Sequence, residues 1–301
     1  MSLKKNIVLS VLHGYTYQFI EPFIQSYRRG HVEADLVIFT SDTVSALVKR
    51  LLKKRGAIII EYSSKNPLDL VDHSLKENLP SRISINNYRF ILFLDFLIKN
   101  KEKYENILLT DIRDVIFQSD PFKKMNNDSI YFFLEGEGEE GTFGVSLQNH
   151  IWSVEANGLE FTESILDKMV SCAGVTAGNI NNIIHYLNYM RTSLTAWDEL
   201  KWGIDQGIHN GYIYKNEGTN IILSGNEKSL VCTLGLCKDY RLNKMNEIIT
   251  PSNDVYSVVH QYDRIRELNV LVRKKYIGLK GIQLLKKVLF SSRFLNRNKH
   301  I

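Results

Sequence analysis

Two carboxylates stand at the end of a short apolar run. Ile107, Leu108 and Leu109 are followed by Thr110, Asp111, Ile112, Arg113 and Asp114. An uninterrupted apolar run of this kind predicts a strand buried on both faces of a sheet. In an open α/β sheet, ligands bind outside the carboxyl ends of the strands. Asp111 and Asp114 at such an edge are suited to hold a hard cation, which in turn holds phosphate oxygens. The plainer alternative is a surface turn closed by an Arg–Asp pair.

The elements that must position these residues read as alternating strands and helices. Asn6 to Leu12 is the first expected strand, broken by His13, Gly14 and Tyr15. Tyr17 to Arg29 follows as a helix, with Phe19, Ile20, Phe23, Ile24 and Tyr27 at helical spacing. Ala34 to Phe39 reads as a strand ending in Thr40, Ser41 and Asp42, a helix N-cap cluster. Val44 to Lys54 is a helix, Ala57 to Tyr62 a strand, and Ile85 to Lys99 an apolar helix bearing Tyr88 and Arg89. This alternation predicts right-handed crossovers and a mostly parallel sheet flanked by helices, an α/β fold of Rossmann-like type.

Further along, Ile130 to Leu134 reads as a strand. The stretch 135–141 is glycine-rich and carries four glutamates, so it would repel phosphate; a solvated connection is expected there, with a mobile lid or acceptor-side loop as the alternative. Ser171 to Asn179 is built from small residues, and Gly174 and Gly178 permit close backbone approach. Helices are expected over Asn181 to Leu194 and Leu200 to His209. Short strands are expected over Asn220 to Leu223, Leu230 to Leu234 and Val255 to Val259, the last running into His260.

The segment 108–122, with Asp111, Asp114 and an Asp120-Pro121-Phe122 turn, resembles the metal and nucleotide-sugar segment of GT-A-fold glycosyltransferases. Those enzymes carry an Asp-x-Asp motif; here two residues separate the carboxylates. The segment 172–179 resembles the small-residue strand and turn that lines donor sugar and acceptor. Gly203 to Gly207 is similar to the Asp-Gln helix start near the transferred sugar, and Val259 to Asp263 resembles the C-terminal strand whose His reaches the metal. Tyr88 to Phe90 fits the helix that sends a basic residue to the donor diphosphate. These segments fall in the same chain order as in the family, and the likeness spans about residues 5–265.

The resemblance implies a glycosyltransferase moving a sugar from a nucleotide-diphosphate sugar to a glycan or lipid-linked glycan. Asp111, Asp114 and His260 would be the metal ligands, with Mn²⁺ or Mg²⁺ as cofactor. Asp205 and Gln206 would be the catalytic pair. His13, Tyr15, Thr40, Arg89, Thr110, Arg113, Gly174, Gly178 and Asn179 would bind substrate. A cation with Asp and His ligands, helped by an Arg, can neutralise a departing diphosphate, and an imidazole ligand leans towards Mn²⁺. Two rivals are an inactive nucleotide-sugar-binding protein of the same fold and a sugar nucleotidyltransferase. The latter wants a basic glycine-rich loop after the first strand, which residues 13–16 lack.

Composition narrows the class. The chain of 301 residues is 44% hydrophobic and 24% charged, ordinary for a globular protein. Cys172, Cys232 and Cys237 are too scattered for a disulfide framework or a structural zinc site. The apolar run before His13 is too short for a signal core, and no stretch approaches the roughly 20 residues of a spanning helix, so a cytoplasmic protein is expected. The net charge is +5, yet residues 271–301 carry nine Lys/Arg and no acid, which leaves the rest of the chain at −4. Nucleic acid is therefore not an expected partner of the main domain. The expected organisation is one domain over 1–269 and a basic amphipathic extension over 270–301. That extension has two readings: association with an anionic membrane surface at the inner face of the membrane, or packing on the domain with lysines outward.

Overall fold

The computed structural model describes residues 4–80, 83–126, 128–136, 138–197, 199, 202–216, 220–227 and 230–278. Its first half alternates strands and helices: β1 (Lys5–Leu12), α1 (Tyr17–Arg29), β2 (Asp35–Ser41), α2 (Ala46–Lys54), β3 (Ile58–Tyr62), a single turn α3 (His73–Lys76), α4 (Ile85–Lys99) and β4 (Tyr104–Thr110). The second half holds β5 (Val115–Phe117), β6 (Ile130–Leu134), α5 (Leu147–Asn157), α6 (Leu159–Glu163), β7 (Ser171–Asn179), α7 (Ile180–Leu194) and α8 (Ile204–Lys215). After these come β8 (Ile221–Ser224), β9 (Val231–Thr233), β10 (Arg241–Leu242), β11 (Ile248–Ile249), β12 (Val258–His260) and α9 (Arg266–Ile277).

Seven strands form the central sheet in the order β3-β2-β1-β4-β7-β6-β8. All run parallel except β7, which lies antiparallel between β4 and β6. Successive residues of a strand face opposite sides, and here both sides are covered. Ile7, Leu9, Ile107 and Leu109 pack towards α4, α7 and α8. Val8, Leu108, Ile38 and Val175 pack with Ile20, Phe23 and Ile24 of α1 and Val48 and Leu52 of α2. Two covered faces explain why these strands read as continuous apolar runs. The fold is thus α/β with a mostly parallel sheet between helices.

A small second sheet, β5-β12-β9, joins the carboxyl edge of the large one. β12 pairs antiparallel with β5, His260 opposite Val115, and parallel with β9. The chain leaving β4 must therefore turn within Asp111 to Asp114 to enter β5. The expected Asp120-Pro121-Phe122 turn follows: the Asp120 carboxylate accepts from the Phe122 amide at 3.0 Å.

Several boundaries depart from expectation. Thr40 and Ser41 stay inside β2, and the helix cap is Ser45, whose hydroxyl accepts from the Val48 amide. The second expected late helix begins at Ile204 and runs on to Lys215; positions 200 and 201 lie outside the described residues. The expected domain boundary at 269/270 falls inside α9, which buries Leu268, Val272 and Tyr276 against the domain. Arg273 donates to the Gln18 carbonyl, and Tyr276 to that of Phe117. The start of the basic extension is therefore part of the domain; its remainder, 279–301, lies outside the described residues. Among the described residues, no helix is long and apolar enough to cross a membrane.

Candidate functional site

The parallel strands β1 and β4 end at the same edge, and β7 begins there. The Asp111 amide donates to the Gly174 carbonyl at 2.8 Å, fastening the exit of β4 to the entry of β7. Four residues on, the backbone enters β5, and the Gln261 amide donates to the Asp114 carbonyl at 2.8 Å. The two sheets thus deliver Asp111, Asp114 and His260 to one point. One ligand atom from each lies within 4.8 Å of the others. His260 Nε2 is 3.9 Å from Asp111 Oδ2 and 4.0 Å from Asp114 Oδ1.

Three observations show that these residues fit a divalent cation. His260 is 1% exposed, and neither ring nitrogen has a hydrogen-bond partner, although buried polar atoms are normally paired. Metal–ligand bonds near 2.1 Å put ligand atoms about 3–4 Å apart, close to the spacing found. Gly174 keeps the cradle open: a Cβ there would stand 2.6 Å from His260 Cε1 and 2.8 Å from Asp111 Oδ2. The donors are two carboxylates and one imidazole, a set for Mn²⁺ or another borderline-hard cation.

Two arginines brace the carboxylates. Arg89, on α4, donates through Nη1 to Asp111 Oδ1. Through Nη2 it reaches Asp205 Oδ2 and the Ala173 carbonyl, both at 3.2 Å. Arg113 Nη2 lies 3.3 Å from Asp114 Oδ2 and 3.2 Å from Asp263 Oδ2. Burial works to raise the Asp111 carboxyl, but the Arg89 guanidinium and His260 outweigh it and hold it below its usual range. Asp114 goes the other way: burial raises it, and Asp111 and Asp263 add to the rise. Burial also pushes Asp205 up, to about 6, against the pull of Arg89. For His260 burial disfavours the cation, yet the two facing carboxylates prevail and raise it.

A cleft of about 570 Å³ opens over this edge. Of the expected residues, His13, Tyr15, Arg89, Thr110, Asp111, Arg113, Asp114, Gly174, Asp205 and Gln206 line it. His13 Nδ1 lies 3.2 Å from the Tyr62 hydroxyl.

Three expected residues lie away from the cleft, and a fourth is tied into the fold. Thr40 is fully buried within β2 and away from the cleft. Gly178 and Asn179 lie at the opposite edge of the sheet, because β7 is antiparallel and Asn179 pairs with Asn106 at the far end of β4. There Asn179 caps α7 by accepting from the Asn182 amide. Gln206 reaches the cleft, but its amide is spent on structure: Oε1 accepts from the Ala173 amide, and Nε2 donates to Ser171 O and Asn149 Oδ1. These bonds make it a positioning residue for β7.

Other lining residues are absent from the expected site set. Glu135 is buried and lines the cleft instead of belonging to a solvated loop. A signal existed: it follows β6, which is parallel to β4, so it ends a strand at the same edge as Asp111. Ser146, Gln148, Asn149 and Trp152 come from α5 and its cap. Helix α5 escaped hydrophobic periodicity because Leu147 and Ile151 are exposed, while Asn149 and Ser153 are buried. It packs on α8 through glycines: a Cβ on Gly207 would collide with the Trp152 carbonyl oxygen and stand 2.7 Å from Ala156 Cβ.

No protein-family model matches the chain, and no curated protein matches it.

Proposed function

We propose that this protein is a GT-A-like glycosyltransferase that moves a sugar from a nucleotide-diphosphate donor to a glycan acceptor. The observation that carries the reading is the Asp111–Asp114–His260 cluster at the carboxyl edge of the sheet, whose two carboxylates line a cleft large enough for such a donor. A divalent cation held by these three residues would supply charge neutralisation for a departing diphosphate. The segment order along the chain agrees with the same family.

The protein's own groups divide the remaining work. Arg89 directs its guanidinium to Asp111 and Asp205 together, which fixes both carboxylates relative to the cluster. Arg113 and Asp263 orient Asp114. Gly174 leaves space beside the cluster for a ligand's oxygens. Asp205, with its carboxyl near 6, is suited to take the proton of an acceptor hydroxyl at neutral pH. His13 and Tyr15, at the end of β1, flank the cleft and bracket the nucleotide.

A thermal-shift panel of nucleoside diphosphates and their sugars, with and without Mn²⁺, tests the reading, since a ligand selective for the folded state raises the melting point. Stabilisation by one nucleotide, dependent on Mn²⁺ and lost in Asp111→Ala, is the expected result. No response to any nucleotide would overturn it.

A further inference from the structure

The two walls of the cleft differ in chemistry. The strand-end wall is charged: Arg89, Asp111, Arg113 and Asp114 line it. The wall made by α5 and the start of α8 presents Ser146, Gln148, Asn149, Trp152, Trp202 and Gly203. Among the described residues of this wall no ionisable side chain joins these six, and Asp205, beside them, is turned to Arg89. Trp202 is 65% exposed, a large apolar surface left in water at the mouth of a cleft. Its ring lies 4.8 Å from that of Trp152, at 83°. Gly203 makes this arrangement possible: its φ is +91°, and a Cβ would collide with the Trp152 indole. The polar neighbours are equally set, with Asn149 Nδ2 donating to Ser146 Oγ at 2.8 Å and Asn149 Oδ1 accepting from Gln206.

We infer that the Trp152–Trp202 wall is a binding subsite for a neutral saccharide. A pyranose has an apolar C–H face, which stacks on an indole, and a rim of hydroxyls, which pair with amides and a serine hydroxyl. An anionic or cationic ligand would need a counter-charge that the described residues of this wall lack and the facing wall holds. A ligand pair with a charged part at the strand ends and an uncharged sugar at the tryptophans satisfies both walls. Resting on the transferase reading, the sugar bound here is the acceptor, its hydroxyls turned to Asp205 between the two walls.

The test titrates the full-length chain with four neutral disaccharides (maltose, cellobiose, lactose and N,N′-diacetylchitobiose). Binding is read by tryptophan fluorescence and by saturation-transfer NMR. At least one should bind saturably. Trp202→Ala should weaken that binding tenfold or more, and Trp202→Phe threefold or less, because a phenyl ring keeps the stacking face. The Mn²⁺-dependent nucleotide shift should be the same in all three proteins. Saturable binding by none of the four, or equal binding by Trp202→Ala, would overturn the subsite. The transferase reading stands or falls separately on the nucleotide panel: saccharide binding without nucleotide binding keeps the subsite and removes the transfer.

Discussion

Two buried histidines show how differently the two sides of the cleft are built. His209, behind the neutral wall, is 0% exposed, and its ring bonds Ser171 Oγ at 3.0 Å and Tyr186 Oη at 2.7 Å. Burial among neutral groups pushes it down to about 3, with Arg89 adding to the drop. His260 is buried as deeply but has two carboxylates near 4 Å and no hydrogen bond, and it is raised. Burial penalises the charged form of both; only the neighbouring charges differ. Around His209 the polar atoms are spent on holding the fold. The other side leaves ligand atoms unpaired around an open point, which is what a site for an added cation requires.

Acid should act on the His209 side first. Its folded value lies below the roughly 6.5 of an unfolded histidine, so the unfolded chain binds the extra proton. The stability this residue contributes is complete above about pH 6.5 and is lost as pH falls towards 3, at about 1.4 kcal/mol per unit and roughly 5 kcal/mol in all. Urea midpoints from pH 7 to pH 4.5 should fall less steeply in His209→Gln than in the wild type. Equal slopes would place the acid sensitivity elsewhere.

The helix contact on the same side should be nearly as costly to disturb. Gly207→Val must part α8 from the Trp152 backbone and is expected to cost about 3 kcal/mol, at the upper end for overpacking. Differential scanning calorimetry should show a drop of several degrees.

On the charged side the expected effect is on ligation. Mn²⁺ at one hundred times its dissociation constant should stabilise the wild type by about 2.7 kcal/mol. Gly174→Ala, whose methyl group enters the cradle between His260 and Asp111, should abolish this gain, and Asp114→Asn should reduce it; isothermal titration with Mn²⁺ measures both. An undiminished gain in Gly174→Ala would mean that the cation binds elsewhere.

The smallest effect separates a core residue from a site residue. Thr40 Oγ1 is buried without a partner. Thr40→Val should therefore leave stability unchanged or raise it by about 1 kcal/mol, consistent with the cost of burying an unpaired hydroxyl. Nucleotide binding should not change; weakened binding would return Thr40 to the site.

Much of the frame was legible. α1 and α4 follow from apolar spacing over 17–29 and 85–99, and β4 from Ile107 to Leu109, because local patterning is imposed directly by burial. The Asp–Asp–His cluster was accessible through chain order and residue type, with Asp111 and Asp114 three positions apart at a strand end. Legibility failed where partners are distant. Nothing local in 171–179 says that β7 runs antiparallel, yet that direction decides that Gly174 adjoins the cluster while Gly178 and Asn179 lie at the far edge. Helix α5 has its small and polar residues inward and two apolar ones outward, so a search for an apolar stripe passes over it. Glu135 was hidden by the acidic loop that follows it.

The sequence by itself determined the alternation of strands and helices, the apolar strands, and the carboxylates at the end of β4. Each of these depends on spacing of a few residues, where a side chain's neighbours are set by helix or strand geometry. Only the tertiary structure decided which groups share the cleft. His260 meets Asp114 because β12 pairs with β5 across 145 positions of chain, and the tryptophan wall exists because glycines let α5 rest on α8. Strand pairing and helix contact are long-range choices made by the packing of the whole core, and no local pattern encodes them.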